Sequence, residues 1–312
     1  MDLGVQVEPQ FGFSYADVVG IASEAETAGF RTLWVSDHLF LGADAVATDC
    51  LEAWTLLAAL AVDTKTIRIG PMVTSQSYRN PALLAKIAAG VDQMSGGRLE
   101  FGVGAGWKDI EYKAYGYEFP DAPTRVTQLV ETLEICTRLW REPRATYHGK
   151  HYRIEDAVCA PKPLQTPLPI WIGGTKPRVM RIAAKYAHAF NMSNPGQAPE
   201  PRIEELNKEL PVACKAVGRD PATLKRSLFV QVLVAPTRRE VDDIAGEVAA
   251  RTKTTGAEWL KARPAMIVGT PDQVGTRLRA IAAGGIDHAN IMFPYKFEVA
   301  GVRALREVAR SL

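Results

Sequence analysis

The sequence predicts an α/β protein of the closed (β/α)8 barrel class, and three observations support this fold. Eight short apolar segments have the pattern of buried strands, helical segments alternate with them, and the connections are long enough for parallel pairing. The length of 312 residues suits one barrel with insertions. No repeat or low-complexity linker divides the chain, so we expect one domain over residues 1–312. Because periodicity does not reveal closure, an open doubly wound sheet is the alternative.

The predicted strands and helices follow one another along the whole chain. Strands are expected at 3–7, 32–36, 67–70, from 99 onward, and at 169–172, 189–192, 228–234 and 289–293. Helices are expected at 16–28, 51–62, 81–95, 124–140, 177–186, 202–217, 239–251, 271–283 and in the last segment to 312. Ser14 or Asp17 can cap the first helix, Asn80 the third, and Thr270 begins a capping box.

Three segments lack a clear period and are predicted to be irregular insertions. Residues 107–123 and 143–169 come after the fourth strand, and a polar segment at 252–263 comes after the seventh. We therefore expect the barrel to carry insertions after strands 4 and 7.

Composition argues against several classes of protein. The formal net charge of +2 comes from 37 basic and 35 acidic residues, with no basic footprint for nucleic acid. The four cysteines form no C-x-x-C pair, which indicates neither a metal site nor a disulfide framework. The N-terminus lacks a signal-peptide pattern, and the most apolar segment, 53–62, is too short to cross a bilayer. We expect a soluble cytoplasmic protein.

In a parallel barrel the ligand lies at the C-terminal ends of the strands. This rule selects a set of candidate site residues: Asp37, His38, Pro71, Met72, Val73, Thr74, Gly104, Ala105, Gly106, Trp107, Gly173, Gly174, Thr175, Lys176 and Asn191.

Asp37 and His38 are the candidate acid/base pair of this set. Imidazole suits general acid/base catalysis, and a carboxylate can hold it in position. The alternative is a structural histidine that bonds a loop carbonyl.

Three alternating glycines end the fourth strand and are followed at once by Trp107. Glycine weakens a strand unless another backbone or a ligand comes close, so this stretch is a plausible floor for a flat ligand. The spacing is not that of a dinucleotide-binding fingerprint, because Trp107 and Asp109 occupy the positions of the third glycine. The alternative is a strand and turn without a ligand.

Two further strand ends have unusual sequences. Pro71 cannot donate to a central ladder, so the segment 71–74 should contain a bulge or a cis bond. Gly173, Gly174 and Thr175 combine backbone N–H groups with a following helix N-terminus, which suits a phosphate. The alternative is an ordinary turn that Thr175 caps.

Several motifs in one order resemble the bacterial luciferase-like monooxygenase superfamily. They are W-V-S-D-H at 34–38, R-N-P-A-L-L-A-K at 79–86, G-R-L-E-F-G-V-G-A-G-W at 97–107, the stretch 147–152 with its downstream prolines, P-I-W-I-G-G at 169–174, and V-G-T-P-D-Q-V at 268–274. Within the superfamily the chain looks most like the class that uses coenzyme F420, an 8-hydroxy-5-deazaflavin.

The resemblance implies a luciferase-like barrel with the cofactor ring at the strand ends. In the family, the segment matching 71–74 carries a non-prolyl cis peptide behind the ring, and the pair matching Asp37 and His38 lies near the reactive face. The segment matching 104–107 lies beside the cofactor tail, and the one matching 173–175 binds its phosphate. We thus expect hydride transfer to or from a small organic substrate, with His38 moving the proton and Asp37 orienting it.

One position departs from the family pattern. Some F420 dehydrogenases place a glutamate directly after G-x-G-x-G, and Trp107 stands there in this chain. The nearest carboxylate is Glu111, which we include among the candidate catalytic residues. A sugar-phosphate substrate is therefore not indicated.

Two other functions are compatible with the same motifs. The alternative enzyme is an FMN-dependent monooxygenase that uses O2 and receives reduced flavin from a partner reductase. A non-catalytic flavin-binding relative would bind the cofactor without turnover. By resemblance we also expect a homodimer.

Overall fold

A parallel sheet forms the centre of the computed structural model, which describes all of residues 1–312. The strands are β1 (Asp2–Val7), β2 (Thr32–Val35), β3 (Arg68–Pro71), β4 (Thr74–Ser75), β5 (Phe101–Gly104), β6 (Ala145–His148), β7 (Arg153–Ala157), β8 (Ile170–Gly174), β9 (Ala189–Met192), β10 (Lys225–Val234), β11 (Ile267–Gly269) and β12 (His288–Met292).

Helices connect these strands and cover the outside of the sheet. They are α1 (Tyr15–Ala28), α2 (Ala53–Asp63), α3 (Pro81–Met94), α4 (Asp109–Ala114), α5 (Ala122–Arg141), α6 (Pro177–Tyr186), α7 (Pro199–Ala216), α8 (Arg238–Ala250), α9 (Gly256–Lys261), α10 (Pro271–Ala283), α11 (Glu298–Ala304) and α12 (Arg306–Ser311). None of them is long and apolar enough to span a membrane.

The strand order is β3-β2-β1-β12-β10-β9-β8-β5-β4, with β11 beside β10. Because β3 and β4 are two parts of one interrupted strand, the order contains eight strand positions. The sheet closes on itself between β3 and β5, where Ile69 N–H donates to the Arg98 carbonyl (3.0 Å) and Glu100 N–H donates to the Ile69 carbonyl (2.8 Å). This closure confirms the (β/α)8 barrel and excludes the open sheet.

The lower part of the barrel is filled by large side chains. The rings of Trp34 and Trp171 meet with their centroids 4.7 Å apart, and His288 packs against both. Burial lowers the pKa of His288 to about 3, so its ring is neutral in this interior. Trp171 Nε1 also donates to the Glu100 carboxylate (2.6 Å). These side chains fill the interior of the barrel, so the space for a ligand is at the C-terminal ends of the strands.

Insertions follow the fourth and seventh strand positions, as predicted, but the segments predicted to be irregular also contain short regular elements. The first contains α4 and the second the antiparallel hairpin β6–β7, whose turn is held by the Glu131 carboxylate through the N–H groups of residues 150–152. The third contains α9, where Thr255 and Glu258 form a capping box and Trp259 is buried. That box is visible in the sequence. The C-terminal helix is also divided in two, at Leu305.

Gly102 provides a test of how tightly the interrupted strand packs on β5. A Cβ built at this position would lie only 1.9 Å from the Pro71 carbonyl oxygen. We expect Gly102→Ala to lower the free energy of unfolding by about 2–3 kcal/mol, because backbone atoms must shift to admit the methyl group. Urea denaturation measures the effect.

Gly90 in α3 is the matched control, since no atom lies within 4 Å of a Cβ built there. Gly90→Ala should be neutral or raise stability by about 0.5–1 kcal/mol, as expected for a helix interior. A Gly102→Ala variant as stable as the wild type would contradict the close approach.

Candidate active site

A cavity of about 710 Å³ opens at the C-terminal ends of the barrel strands. Its volume is within the range of sites that hold cofactors and drug-sized ligands. The predicted site residues that line it are Asp37, His38, Met72, Val73, Gly104, Ala105, Gly106, Trp107, Gly173, Gly174, Thr175, Lys176 and Asn191. Three predicted residues, Pro71, Thr74 and Glu111, lie behind the cavity wall.

The interruption between β3 and β4 forms one wall of the cavity. The Met72–Val73 peptide is cis, which confirms the predicted irregularity at 71–74. Met72 and Val73 face the cavity, whereas the Pro71 carbonyl packs over Gly102. Pro71 and Thr74 therefore support the wall and do not form its surface.

The glycines beside this wall make room for the Val73 side chain. A Cβ at Gly104 would lie 2.7 Å from Val73 Cγ2, and one at Gly173 would lie 3.0 Å from Val73 Cγ1. The close approach expected at these glycines is thus made in part by a valine side chain, which fills the space that Gly104 and Gly173 leave. Gly106, at φ 78°, provides a similar gap for the Tyr112 hydroxyl.

Asp37 is buried and bound on the side away from the cavity. Arg79 holds its carboxylate with two hydrogen bonds of 2.7 and 3.0 Å, and the Thr74 hydroxyl donates to the same group. Burial by itself lowers the pKa of Arg79, but the carboxylates of Asp37 and Glu52 raise it above its ordinary value. The prediction that Asp37 orients His38 was wrong, because Arg79 occupies that carboxylate.

Glu111 is the carboxylate that holds His38. His38 Nδ1 lies 3.0 and 3.1 Å from the two oxygens of Glu111, although 73 residues separate the two in sequence. The same carboxylate accepts hydrogen bonds from Tyr78 Oη (2.6 Å), Leu39 N–H (2.9 Å) and Lys108 Nζ (3.1 Å). With Nδ1 bound, Nε2 is the ring nitrogen without a partner in the chain, and His38 lines the cavity.

The environment of Glu111 keeps it ionised. Burial by itself raises the pKa of Glu111, but the hydrogen bonds from His38 and Tyr78, the charge of His38 and the Leu39 N–H lower it to about 2. Burial and the same carboxylate raise the pKa of Tyr78, so its hydroxyl remains a donor. The arrangement is thus a permanent anion that orients an imidazole towards the cavity.

Trp107 stands at the mouth beside this imidazole. Its side chain is 72% exposed, and its ring meets that of His38 edge-on with centroids 5.7 Å apart. Trp107 is therefore not a core aromatic residue, whereas Trp171 is.

The turn after β8 offers unpaired backbone donors. The N–H groups of Thr175 and Lys176 form no hydrogen bond within the chain, and they stand at the start of α6. Thr175 does not cap this helix, because Lys176 is the N-cap residue and no side chain caps it. The alternative of a turn capped by Thr175 was therefore wrong, and the donors are free for an anion.

Sequence reasoning missed several cavity residues. Gln6 and Glu8 lie at the end of β1, where the strand-end rule would have found them. Tyr78 and Lys108 approach from loops and carry no local signal in the sequence.

The fold and this cavity define a (β/α)8 barrel protein with a small-molecule site at the strand C-termini. A family model described as luciferase-like monooxygenase matches residues 2–288, and the chain belongs to this family. This match confirms the resemblance drawn from the motifs.

Two relatives and one solved structure illustrate the similarity. The F420-dependent glucose-6-phosphate dehydrogenase of Microbacterium testaceum (strain StLB037) is 32% identical over 215 residues, covering 68% of this chain and 62% of the relative. The chain thus aligns with less than two thirds of the length of that relative. The FMNH(2)-dependent dimethylsulfone monooxygenase of Pseudomonas putida is 24% identical over 292 residues, covering 86% of this chain and 80% of the relative.

The solved structure supports the fold alone. It is an F420-dependent secondary alcohol dehydrogenase in complex with an F420-acetone adduct, with a TM-score of 0.83 at 21% identity, covering 98% of this chain and 97% of the other.

Replacing the Glu111 carboxylate should reveal its contribution through the pH dependence of stability. The folded-state pKa of about 2 is below the ordinary value of 4.5, so the stabilisation is complete above pH 4.5 and is lost as the pH falls towards 2. We expect Glu111→Gln to lower the free energy of unfolding by about 2 kcal/mol at neutral pH. The difference in free energy of unfolding between Glu111→Gln and the wild type should disappear as the pH falls from 4.5 towards 2.

Urea denaturation across this pH range measures the gap. Glu118→Gln removes an exposed carboxylate from the same insertion and should change stability by less than about 0.5 kcal/mol. A gap for Glu111→Gln that is constant down to the acid end would show that the carboxylate charge is not the cause.

Proposed function

We propose that this chain is an F420-dependent oxidoreductase that transfers a hydride between the deazaflavin and a small organic substrate. The main observation behind the proposal is the position of His38. This residue lines the cavity with a free Nε2, while the buried Glu111 carboxylate binds its Nδ1. The relatives named as F420-dependent dehydrogenases support the choice of cofactor.

The residues of the cavity fit a deazaflavin with a phosphorylated tail. The wall of Met72 and Val73 and the segment 104–107 would contact the ring, and the free N–H groups of Thr175 and Lys176 would bind the phosphate. Gly173 and Gly174 complete this cofactor site. When bound, F420 supplies a carbon centre that accepts or donates hydride.

The chain supplies positioning and proton transfer. His38 Nε2 gives a proton to the substrate oxygen or takes one from it, depending on the direction of the reaction. Glu111 fixes the orientation of the ring, because both of its oxygens lie within hydrogen-bond distance of Nδ1. Asp37 contributes indirectly, because its pair with Arg79 anchors the end of β2 from which His38 extends. Trp107 shields one side of the imidazole from water.

The alternative is an FMN-dependent monooxygenase that uses O2 and a partner flavin reductase. The Pseudomonas putida relative, named as FMNH(2)-dependent, favours this alternative. A non-catalytic flavin-binding protein has less support, because His38 lines the cavity with an unpartnered Nε2, a position that suits proton transfer.

We also propose that residues 1–312 act as one domain that works as a homodimer in the cytoplasm. One sheet contains every strand of the barrel, and one core cluster spans residues from Leu3 to Val308, which supports a single domain. The four cysteines are free thiols, as expected in a reducing compartment.

A titration of the purified protein with each cofactor tests the proposal. F420 should bind at least about tenfold more tightly than FMN, a difference of about 1.4 kcal/mol. Changes in cofactor absorbance or fluorescence report binding without any substrate. Preferential binding of FMN, followed by O2-dependent turnover with a reductase, would instead support the monooxygenase. Binding without turnover over a broad panel of substrates would indicate the non-catalytic protein.

Replacing His38 tests the acid/base role. We expect His38→Ala to lower kcat by about 100-fold or more with cofactor affinity nearly unchanged, because the ring moves a proton and does not hold the cofactor. His148→Ala, on the exposed hairpin strand β6, is the matched control and should retain full turnover. Unchanged turnover in His38→Ala would reject the role.

A further inference from the structure

The cavity has one carboxylate without a cationic partner, and it is on the side opposite the proposed phosphate turn. Glu8 follows β1 and lines the cavity. β1 and β8 are four positions apart in a barrel of eight, so Glu8 faces the turn that contains Thr175 across the opening. β1 pairs with β2, which places Glu8 on the same side as His38.

Two buried amides hold the Glu8 carboxylate in place. Gln6 Nε2 donates to Oε1 (3.0 Å) and Gln10 Nε2 donates to Oε2 (2.5 Å). The amide oxygens are occupied in turn, since Gln6 Oε1 accepts from Asn290 Nδ2 (2.7 Å) and Gln10 Oε1 accepts from Ser36 Oγ (2.8 Å). These outer contacts direct the amide N–H groups towards Glu8.

The backbone around Glu8 is fixed as well. Its carbonyl accepts the Phe11 N–H (2.9 Å) in a short 3-10 turn. A carboxylate has about four acceptor sites and the two amides use two of them. The remaining acceptor sites of the Glu8 carboxylate are available to a ligand in the cavity, and the surrounding contacts hold the carboxylate in place.

Neither lysine of the cavity pairs with Glu8. Lys108 Nζ donates to Glu111 (3.1 Å) and to the carbonyls of Phe40 (2.6 Å) and Leu41 (3.0 Å), which uses all three of its donors. Lys176 is on the β8 side, at the start of α6. No ion pair of the chain includes Glu8. The half of the cavity next to His38 is therefore acceptor-rich and negative.

We propose that Glu8 is a specificity-determining residue that binds a hydroxyl or ammonium group of the substrate and excludes substrates with a carboxylate or phosphate at that place. The proposal rests on the proposed function, because it places the substrate between Glu8 and the cofactor. An incoming donor binds to an already oriented carboxylate, whereas an anion meets a like charge with which no lysine or arginine is paired. Small polyols and amino alcohols are the substrate class that fits, and phosphorylated sugars are not.

Three probes of nearly equal size test this charge selection. 1-Amino-2-propanol, 1,2-propanediol and lactate share a three-carbon skeleton and a secondary hydroxyl, and they carry a positive, neutral or negative group on C1. Saturation-transfer NMR titrations measure their affinity for the cofactor-free protein, so the result does not depend on F420. We expect the amino alcohol to bind at least about tenfold more tightly than lactate, with the diol between them.

Glu8→Gln should remove most of the difference in affinity between the three probes, because it keeps the shape of the side chain and deletes its charge. Lactate and 1-amino-2-propanol should then bind within about twofold of each other. Glu118→Gln deletes an exposed carboxylate that does not line the cavity and should preserve the wild-type order. With F420 and a substrate that turns over, Glu8→Gln should change KM and leave kcat nearly constant.

The outcomes separate the two proposals. Failure of F420 to bind would reject the proposed function, while the probe titrations would still report on Glu8. Lactate that binds wild-type protein as tightly as 1-amino-2-propanol, no saturable binding of the amino alcohol, or an order that survives Glu8→Gln would each overturn the role of Glu8.

Discussion

The buried Glu111 carboxylate is the interaction on which the C-terminal end of the barrel depends. It accepts hydrogen bonds from the end of β2, from the loop after β4 and from the insertion that carries α4. A buried carboxylate needs this many donors, because removing its charge from water is costly. Each oxygen lone pair left without a donor would add to that cost. Glu111 therefore helps to hold three segments together, alongside the Asp37–Arg79 ion pair and the Ser75–Tyr112 hydrogen bond. His38 takes its orientation from this arrangement.

A second constraint is steric and shapes the neighbouring wall of the cavity, which the interrupted strand β3–β4 forms. β3 and β4 approach β5 so closely that only glycine fits at Gly102, and Val73 occupies the space that Gly104 and Gly173 leave free. The glycines thus act through packing, since they let an interrupted strand lie flat against its neighbours. The shape of this wall follows from the packing, while the orientation of His38 beside it follows from Glu111.

Local patterns predicted the strands, the closed barrel and the ends of strands as the place of the site. These patterns failed where a side chain pairs with a residue that is distant in sequence. Asp37 and His38 are adjacent in sequence, so a local pairing was the natural prediction, yet Asp37 pairs with Arg79 and His38 with Glu111, 73 residues away. No spacing rule contains such information, because the pairing depends on how an insertion folds back over the barrel. Short capped helices such as α9 are different, since their capping boxes are local signals.

These long-range pairings give the carboxylates of Asp37 and Glu111 different roles. Asp37 is neutralised by a guanidinium, which does not lose its proton in proteins, so this pair is a permanent structural contact. Glu111 is bound to an imidazole, a phenol and an ammonium, and the imidazole still has a ring nitrogen without a partner in the chain. A fixed ion pair therefore anchors the end of β2, and a buried carboxylate positions the imidazole that follows it.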